Sequence, residues 1–409
     1  MQVPSNNNRP LRILVICNKM PYPSNDGGTI ATLNMIMGLA AQGNEVDVLA
    51  MQTQKHNFPI EKLSPELTKN IRWHSVWIDT DIKISKLIGN LLFSNKPYNA
   101  ERFVSDEFNT KLIWLLQNKY DLVQLEGLYL SCYIPTIRKC TKAKIALRAH
   151  NVEWQIWQRM AETENNPLKK FYKSILSKRV RNLELSTLKD IDLLVPITQN
   201  DADKLPFDKK RTFVAPTGIE PQKFVPDNPP LDKNTFFYIG ALDWEPNQEA
   251  ILWFVRNVWS DIQLLHPEWT FHIAGRNASD SFAHELNKYQ VVFEGQVPSA
   301  REFISKHNVM IVPLLSGSGM RIKIIEAMAH SRCVITTPVG AEGIDAENGK
   351  NILIGESPNE LKLHILKVMD NPDYANKIAK EAYCFTNLKF NNRQIINGLN
   401  DFYKQWLQR

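Results

Sequence analysis

The sequence predicts two α/β domains, each built on a parallel β-sheet that is covered by helices on both faces. Short apolar runs rich in β-branched residues alternate with longer helical segments along most of the chain. This alternation stops once, at residues 217–234, where a stretch rich in proline and charge has no periodic pattern. A length of 409 residues is sufficient for two domains. We therefore place an N-terminal domain at residues 1–220 and a C-terminal domain at residues 221–389.

The composition is that of an ordinary globular protein, with 43% hydrophobic and 22% charged residues. The formal net charge of +6 suits an anionic ligand or a membrane surface and does not require nucleic acid. Five scattered cysteines without a CxxC pair indicate neither a disulfide framework nor a zinc site, and they favour a reducing compartment. The chain shows neither a signal peptide nor an apolar run long enough to span a bilayer. We therefore expect a cytoplasmic protein.

The N-terminal domain begins with a strand, LRILVICN, at residues 11–18. A loop connects it to a helix in which apolar residues recur at helical spacing until Gly43 ends the helix. The next strand, NEVDVLA, completes one βαβ unit. Further strands of the same sheet are predicted at four apolar runs: YDLVQLEG, KIALRAHN, DLLVPIT and TFVAP.

The C-terminal domain repeats this alternation after the proline-rich stretch. A long helix is predicted at NQEAILWFVRNVWSDI. The last helix, at about residues 390–409, carries an apolar stripe that needs a partner surface, and we expect it to pack back on the N-terminal domain. Strands are predicted at TFFYIGAL, WTFHIAG, VVFEGQV, VMIVPLL and CVITT.

Open parallel sheets bind their ligands at the carboxyl ends of the strands. Two such sheets joined by one linker therefore predict a cleft shared by the two domains.

An anion site is predicted in the segment SGSGMRIKIIEAMAH. A strand leads into a turn that contains Ser318 and Gly319, and the following helix is expected to begin near Gly319 or Met320. Glycines allow backbone N–H groups to approach a ligand closely, and the first turn of a helix offers unpaired donors beside a positive dipole end. Arg321 and Lys323 add positive charge at the same place. A diphosphate would satisfy all of these groups.

Glu326 follows Lys323 by three residues on the same helical face, and two interpretations are open. Glu326 can form an ion pair with Lys323 on a solvated surface. Alternatively, its carboxylate accepts hydrogen bonds from the sugar hydroxyls of a nucleotide.

The chain resembles the retaining GT-B glycosyltransferases of family 4, the type called glycosyl transferases group 1. The resemblance covers most of the chain and implies two Rossmann-like domains that face a shared cleft, with the acceptor bound by the N-terminal domain and the donor by the C-terminal domain. It depends on segments that occur in the family's order: DGGT, LRAHNVEW, PTGIE, YIGALDWEPNQEAILWF, HIAGR, FEGQV and GSGMRIKIIEAMA.

The resemblance implies roles for individual residues. The glycine-rich turn after the first strand, here Gly27 and Gly28, contacts the donor diphosphate, and Glu326 holds the ribose hydroxyls. The first glutamate of the family's E-x7-E pattern is replaced by Ser318, so backbone amides take over more of the contact to the donor sugar. The donor-binding residues expected from this are Gly27, Gly28, Gly240, Ser318, Gly319, Met320 and Glu326.

Three residues are expected to be catalytic. Many relatives carry an arginine and a lysine after the first strand of the C-terminal domain, where this chain has GALDWEPNQEA, so we expect Arg321 and Lys323 to replace them. The resemblance places His150 at the cleft, although a single histidine is more often structural. Glu153 lies nearby in the sequence and is at least as well explained as a surface acid.

The expected reaction is transfer of a sugar from a nucleotide diphosphate sugar with retention of configuration. No Asp-x-Asp pair lies in a suitable loop, so we expect no metal and no other cofactor. The acceptor is a saccharide or a lipid-linked saccharide, in the synthesis of a cell-surface polysaccharide or glycolipid. Two basic stretches, residues 81–103 and 168–184, are either ordinary helices or a surface for peripheral membrane association.

Other functions remain as alternatives. A nicotinamide-dependent oxidoreductase is disfavoured because the first strand lacks a following G-x-G-x-x-G. A sugar-nucleotide epimerase or a phosphorylase would share the two-domain fold and the ribose contact. A non-catalytic protein that binds nucleotide sugar would keep the site without the chemistry.

Overall fold

The computed structural model describes residues 9–24, 26–81, 83–220, 224, 234–317 and 319–407. The chain divides into two compact units, one formed by Met1–Thr217 with Asn392–Arg409 and the other by Gly218–Asn391. Each unit contains one sheet, with six strands among the described residues, and all pairs of neighbouring strands are parallel. The prediction of two parallel α/β sheets is therefore confirmed.

The sheet of the N-terminal unit has the strand order β3-β2-β1-β4-β5-β6. Its central strands β1 and β4 are buried along almost their whole length, as expected of a parallel sheet that helices cover on both faces. The strands are β1 (Arg12–Cys17), β2 (Glu45–Gln52), β3 (Ile71–Trp77), β4 (Leu122–Glu126), β5 (Lys144–Ala149) and β6 (Leu193–Pro196).

The first helix of this unit begins at Gly27, where the Asp26 side chain accepts a hydrogen bond from the N–H of Thr29 at 2.9 Å. It ends before Gly43, which has a φ of +83°. The helices are α1 (Gly27–Ala41), α2 (Pro65–Thr68), α3 (Ile84–Phe93), α4 (Tyr98–Glu101), α5 (Asp106–Leu115), α6 (Ile134–Cys140), α7 (Glu153–Glu162), α8 (Pro167–Asp190) and α9 (Gln199–Lys204).

The sheet of the C-terminal unit has the order β12-β11-β10-β7-β8-β9, so the direction of winding reverses between β7 and β10. The strands are β7 (Thr235–Ile239), β8 (Thr270–Ala274), β9 (Val292–Gly295), β10 (Val309–Val312), β11 (Cys333–Thr336) and β12 (Leu353–Ile354).

The helices of this unit include the long segment predicted after the first strand, which is interrupted by a π-helical turn at Val255–Trp259. The helices are α10 (Glu245–Phe254), α11 (Ser260–Leu265), α12 (Asp280–Leu286), α13 (Ala300–Ser305), α14 (Ile322–Ala329), α15 (Pro338–Ala341), α16 (Pro358–Asp370) and α17 (Pro372–Lys389).

The last helix, α18 (Asn392–Leu407), belongs to the N-terminal unit and packs against α1. Its residue Ile396 fills the space left by Gly38, where a Cβ atom would lie 2.6 Å from Cγ1 of Ile396. Asn44 Nδ2 donates to Asn400 Oδ1 at 2.9 Å, which adds a buried polar contact to the same interface. The apolar stripe of this helix thus has a partner surface within the N-terminal unit.

Some predicted elements differ from the structure. TFVAP is not a strand of its own. It runs alongside β6 through hydrogen bonds from the N–H groups of Phe213 and Ala215 to the carbonyl oxygens of Leu194 and Pro196. The edge strands β3 and β12 were not predicted. Most of the predicted linker, residues 221–223 and 225–233, lies outside the described residues. Within the described ranges, every helix is too short or too polar to cross a membrane.

Candidate active site

The carboxyl ends of β7 and β10 form the centre of the candidate site in the C-terminal unit. The strand order reverses between these two strands, and open α/β sheets bind ligands at such a position. Gly240 directly follows β7, and the glycine-rich turn that precedes α14 follows β10. The predicted anion site therefore lies at the expected edge of the sheet.

The turn after β10 requires glycine at two positions. Gly317 and Gly319 have φ values of +116° and +79°, in the left-handed region that glycine adopts most easily. Because Gly319 is in this conformation, it cannot start the helix, and α14 begins at Ile322 instead. The predicted start near Gly319 or Met320 is therefore wrong by two to three residues.

The other predicted residues of this turn have different environments. Met320 packs its side chain against the hydrophobic core of the unit, which leaves its backbone as the part available to a ligand. Arg321 immediately precedes α14, and its Nη1 donates a hydrogen bond to the carbonyl oxygen of Gly319. Ser318 lies outside the described residues.

Lys323 is held by neutral groups. Its Nζ donates to the hydroxyl oxygen of Tyr238 at 2.6 Å and to Oδ1 of Asn247 at 3.3 Å. In the part of the chain that the structure describes, no carboxylate lies within ion-pair distance of this ammonium group. Burial, with a smaller contribution from the charge of Arg321, lowers the pKa of Lys323 to about 7. A cation without a compensating carboxylate is suited to bind an anion.

Gly240 provides the space for this lysine. A Cβ atom at this position would lie 2.6 Å from Nζ of Lys323 and 3.0 Å from the hydroxyl oxygen of Tyr238. The loop after β8 also packs closely against Gly240, because a Cβ atom on Gly275 would lie 2.0 Å from the carbonyl oxygen of Gly240. Any larger residue at position 240 would therefore displace the ammonium group.

Glu326 does not pair with Lys323. Both residues are described, and neither an ion pair nor a hydrogen bond joins them, so the surface ion-pair interpretation is wrong. Burial raises the pKa of Glu326 to about 7. Its carboxyl group has no hydrogen-bond donor among the described residues. This is the arrangement expected of a group whose partners come from a ligand.

Gly27 and Gly28 are the first two residues of α1 in the N-terminal unit. Lys19 approaches the same helix end, with its Nζ 2.9 Å from Oδ1 of the capping residue Asp26. A Cβ atom on Gly28 would lie 3.2 Å from this Nζ, so glycine permits the close approach of the lysine. The two predicted glycines thus lie at a helix N-terminus with a lysine beside it.

His150 directly follows β5, and its Nε2 lies 2.8 Å from Oε2 of Glu126, the last residue of β4. The same oxygen accepts hydrogen bonds from Thr32 Oγ1 at 3.0 Å and Arg148 Nη1 at 3.3 Å. Burial raises the pKa of Glu126, but Arg148 and His150 outweigh it and lower this pKa to about 2. The His150 side chain is 15% exposed and that of Glu126 is 1% exposed, so of these two only His150 can contact a ligand.

Glu153 is not a surface acid. Its Oε2 accepts a hydrogen bond from the Tyr129 hydroxyl at 2.9 Å, and burial raises the pKa of Glu153. The N–H of Glu153 donates to Oε1 of Glu184 at 3.1 Å, where a second carboxyl group lies at the start of α7. The interpretation of Glu153 as a surface acid is therefore wrong.

Three residues of the site were not predicted. Glu126 ends a buried strand and is followed by a glycine, and a charged residue in such a run could have been recognised as a candidate. Tyr238 and Asn247 left no signal, because they contact Lys323 from positions 85 and 76 residues away in the chain.

The described residues contain no cluster of three His, Cys, Asp or Glu side chains placed to hold a metal ion. The expectation of a reaction without metal or other cofactor stays a prediction.

Residues 233–371 match the family model described as Glycosyl transferases group 1. A related protein, the uncharacterised 44.6 kDa protein in the cps region of Klebsiella pneumoniae, is 22% identical over 402 residues, which are 95% of this chain and 98% of the relative. The family resemblance inferred from the motifs is thus supported independently.

The fold is similar to that of solved GT-B structures. Sucrose-phosphate synthase from Thermosynechococcus elongatus matches 97% of this chain and 99% of its own, with a TM-score of 0.70 and 19% identity. HepE of Anabaena, solved in complex with UDP, matches 96% of this chain and 99% of its own, with a TM-score of 0.67 and 11% identity. The GT-B fold class is confirmed by these similarities.

Proposed function

We propose that this chain, a GT-B protein whose residues 233–371 form a group 1 glycosyltransferase domain, transfers a sugar from a nucleotide diphosphate sugar to a saccharide or lipid-linked acceptor. We include retention of anomeric configuration in the proposal. HepE was solved with UDP, which makes uridine diphosphate sugars the first donors to test. The Klebsiella relative is named for a cps region, which supports a role in cell-surface polysaccharide synthesis.

The observation that carries this proposal is the Lys323 ammonium group, buried beside Arg321 without a carboxylate among the described residues. A diphosphate brings negative charge to this position and compensates the Lys323 ammonium group. As the bond to the sugar breaks, negative charge grows on the departing diphosphate. In this proposal Lys323, Arg321 and the first N–H groups of α14 stabilise that charge.

Glu326 orients the nucleotide in this proposal. Its carboxylate accepts hydrogen bonds from the ribose hydroxyls, which supply the donors that the described residues do not. Binding these hydroxyls also favours the ionised form of Glu326, because hydrogen bonds to a carboxylate lower its pKa.

Retention follows if the acceptor oxygen attacks the anomeric carbon from the face that the diphosphate leaves. The bond from the anomeric carbon to the diphosphate oxygen breaks, and the bond to the acceptor oxygen forms. The proton of the acceptor hydroxyl passes to the departing diphosphate. We assign His150 a contact to the reacting sugar, because the family resemblance places this residue at the cleft and its side chain is partly exposed.

The donor site can be tested by thermal-shift screening of nucleotide diphosphates and their sugar conjugates, because a ligand that binds the folded state raises Tm. We expect a response to at least one uridine or guanosine diphosphate sugar and loss of that response in Glu326→Ala. Glu347→Ala, at a side chain that is 67% exposed, is the matched control and should keep the response. An unchanged response in Glu326→Ala would remove Glu326 from the site.

The reaction can be tested with a donor labelled in its sugar. Transfer of the label to a saccharide acceptor, with the donor's anomeric configuration kept in the product by NMR, is the expected result. Interconversion of the donor sugar would indicate an epimerase, and tight binding without any turnover would indicate a non-catalytic binding protein. Either result would reject the proposed reaction.

A lipid-linked acceptor is supported by an exposed surface on α3 and α8. Leu92 and Phe93 of α3 are 66% and 89% exposed, and Leu168 and Phe171 of α8 are 82% and 65% exposed. The two helices adjoin, because Arg179 of α8 donates to the carbonyl oxygen of Leu91 at 2.9 Å. Exposed lysines flank these apolar side chains, namely Lys86, Lys96, Lys169 and Lys170. Apolar groups bordered by lysines suit an anionic bilayer surface.

Flotation with vesicles tests this surface. We expect the chain to float with vesicles that contain phosphatidylglycerol and not with neutral vesicles. Phe93→Ser should reduce flotation, whereas Leu363→Ser, at a side chain 64% exposed in the C-terminal unit, should not. Absence of flotation with anionic vesicles would reject the proposed membrane association.

A further inference from the structure

The carboxylate of Glu126 is fixed from several directions. In addition to His150, its donors are Thr32 on α1, Arg148 on β5 and Gln124 on β4. Arg148 is itself anchored by donating to the carbonyl oxygen of Ala31 at 2.9 Å. A buried carboxylate with this many donors has a single orientation.

The hydrogen bonds continue from Glu126 to the last helix of the chain. Gln124 donates from Nε2 to Oε1 of Glu126, and its own Oε1 accepts from the Tyr403 hydroxyl at 2.7 Å. Both Gln124 and Tyr403 are completely buried. A flipped Gln124 amide would place its carbonyl oxygen against the carboxylate of Glu126, so the chain of bonds has one direction.

The position of this chain of bonds argues against a purely structural role. Glu126 pairs in the sheet with Cys17 of β1 and Arg148 of β5, so all three lie at the carboxyl edge where open sheets bind ligands. For a purely structural role, the ion pair between Glu126 and Arg148 would be enough, and Glu126 would need no contact with His150. Here the same oxygen also holds the partly exposed ring of His150.

We propose that Glu126 is the positioning residue of His150, and that Gln124 and Tyr403 hold Glu126 in place, so that the C-terminal helix α18 supports the active site. This inference rests on the proposed function for one point, namely that His150 contacts the reacting sugar. Glu126 is ionised and can only accept a hydrogen bond, so the neutral ring carries its proton on Nε2 and leaves Nδ1 for the substrate.

The positioning can be measured without substrate by NMR on the full chain labelled with ¹⁵N-histidine. The His150 signals are assigned by their loss in His150→Gln. We expect a slowly exchanging Nε2 proton on His150 in the wild-type chain. In Glu126→Gln this proton should move upfield, because a neutral amide accepts a weaker hydrogen bond than a carboxylate. Tyr403→Phe should cause a smaller change in the same direction.

Activity provides the second measurement. We expect both variants to lower kcat, by about tenfold or more for Glu126→Gln, which is the effect of removing the partners that orient metal-binding histidines. The thermal shift with nucleotide should stay unchanged. Phe402→Leu disturbs the packing of α18 against Phe213 without touching the chain of bonds, so it should leave the His150 signals as in the wild type. If Glu126→Gln does not fold, the His150 signals and kcat are compared between the wild type and Tyr403→Phe.

Two results would overturn the proposal: a wild-type His150 with its proton on Nδ1, or His150 signals that are the same in the wild type and in both variants. A third result separates it from the proposed function. If the signals change as expected while sugar transfer keeps its rate, Glu126 positions His150, but His150 has no role in the reaction.

Discussion

Replacing Lys323 by methionine should stabilise the protein while it slows the reaction. The wild-type chain buries an ammonium group whose pKa falls from 10.5 to about 7. At neutral pH this shift corresponds to a destabilisation of the folded state by about 4 kcal/mol. Methionine has a similar length and no charge, so it removes this term, although the two hydrogen bonds to Tyr238 and Asn247 are lost at about 1 kcal/mol each.

The net gain of about 2 kcal/mol should raise Tm by about 5 °C, given the size of the C-terminal unit. The pH dependence identifies the cause. The unfolded state binds more protons than the folded state between about pH 7 and 10.5, so Lys323 makes the wild-type chain more stable as pH rises through this window. The methionine variant should lack this contribution.

Activity should change in the opposite direction. Without the cation, the charge that develops on the departing diphosphate loses a preorganised partner, and kcat should fall by about 100-fold to 1,000-fold. Lys350→Met is the matched control, because the Lys350 side chain is 56% exposed and pairs with Glu347 at the surface. Lys350→Met should change neither the stability of the protein nor kcat.

The assays are denaturant unfolding between pH 6 and 10 and initial rates of sugar transfer. A Lys323→Met variant that is less stable than both the wild type and the control would refute the argument from burial. A variant with an unchanged kcat would refute the role of Lys323 in stabilising the leaving group.

Three further predictions follow from the same contacts. Gly240→Ala should weaken nucleotide binding by at least about tenfold, because the new methyl group displaces Nζ of Lys323; binding of normal strength, measured by calorimetry, would contradict this. Nucleotide binding at pH 8 should take up a proton in the wild type and not in Lys323→Met, because the diphosphate converts a mostly neutral amine into an ammonium group; calorimetry in buffers of different ionisation enthalpy measures the uptake. Gly38→Ala should lower the free energy of unfolding by about 1–3 kcal/mol through overpacking against Ile396, whereas helix propensity alone would stabilise the chain.

The sequence was sufficient for the parts of the fold that depend on local pattern. Buried strands appear as short apolar runs and the helices between them as longer periodic segments, and most of these elements were predicted. β3 and β12 were missed because their sequence patterns are weak: β3 mixes exposed and buried residues, and β12 has two residues. Neither gives the continuous apolar run of a central strand.

The candidate site was predictable where a residue's function depends on its neighbours in the chain. Gly319, Arg321, Lys323 and Glu326 occur in one segment, and their types alone suggested an anion and a set of hydroxyl groups. The two interpretations of Glu326 could not be separated from the sequence, because i,i+3 spacing permits an ion pair without requiring it. The fold decided this by giving Lys323 other partners, Tyr238 and Asn247.

By itself the sequence determined two parallel α/β sheets, the glycine-rich turn before α14 and the position of His150 at the end of a strand, because each depends on local pattern. Only the tertiary structure decided the contacts of the buried charges: Lys323 with neutral groups from β7 and α10, and Glu126 with donors from α1, β4, β5 and the turn that carries His150. The reason is that a buried charge must find its partners among whichever side chains the packing brings near, and these come from distant positions in the chain. The sequence therefore shows which residues are charged, but not which side chains contact them in the folded protein.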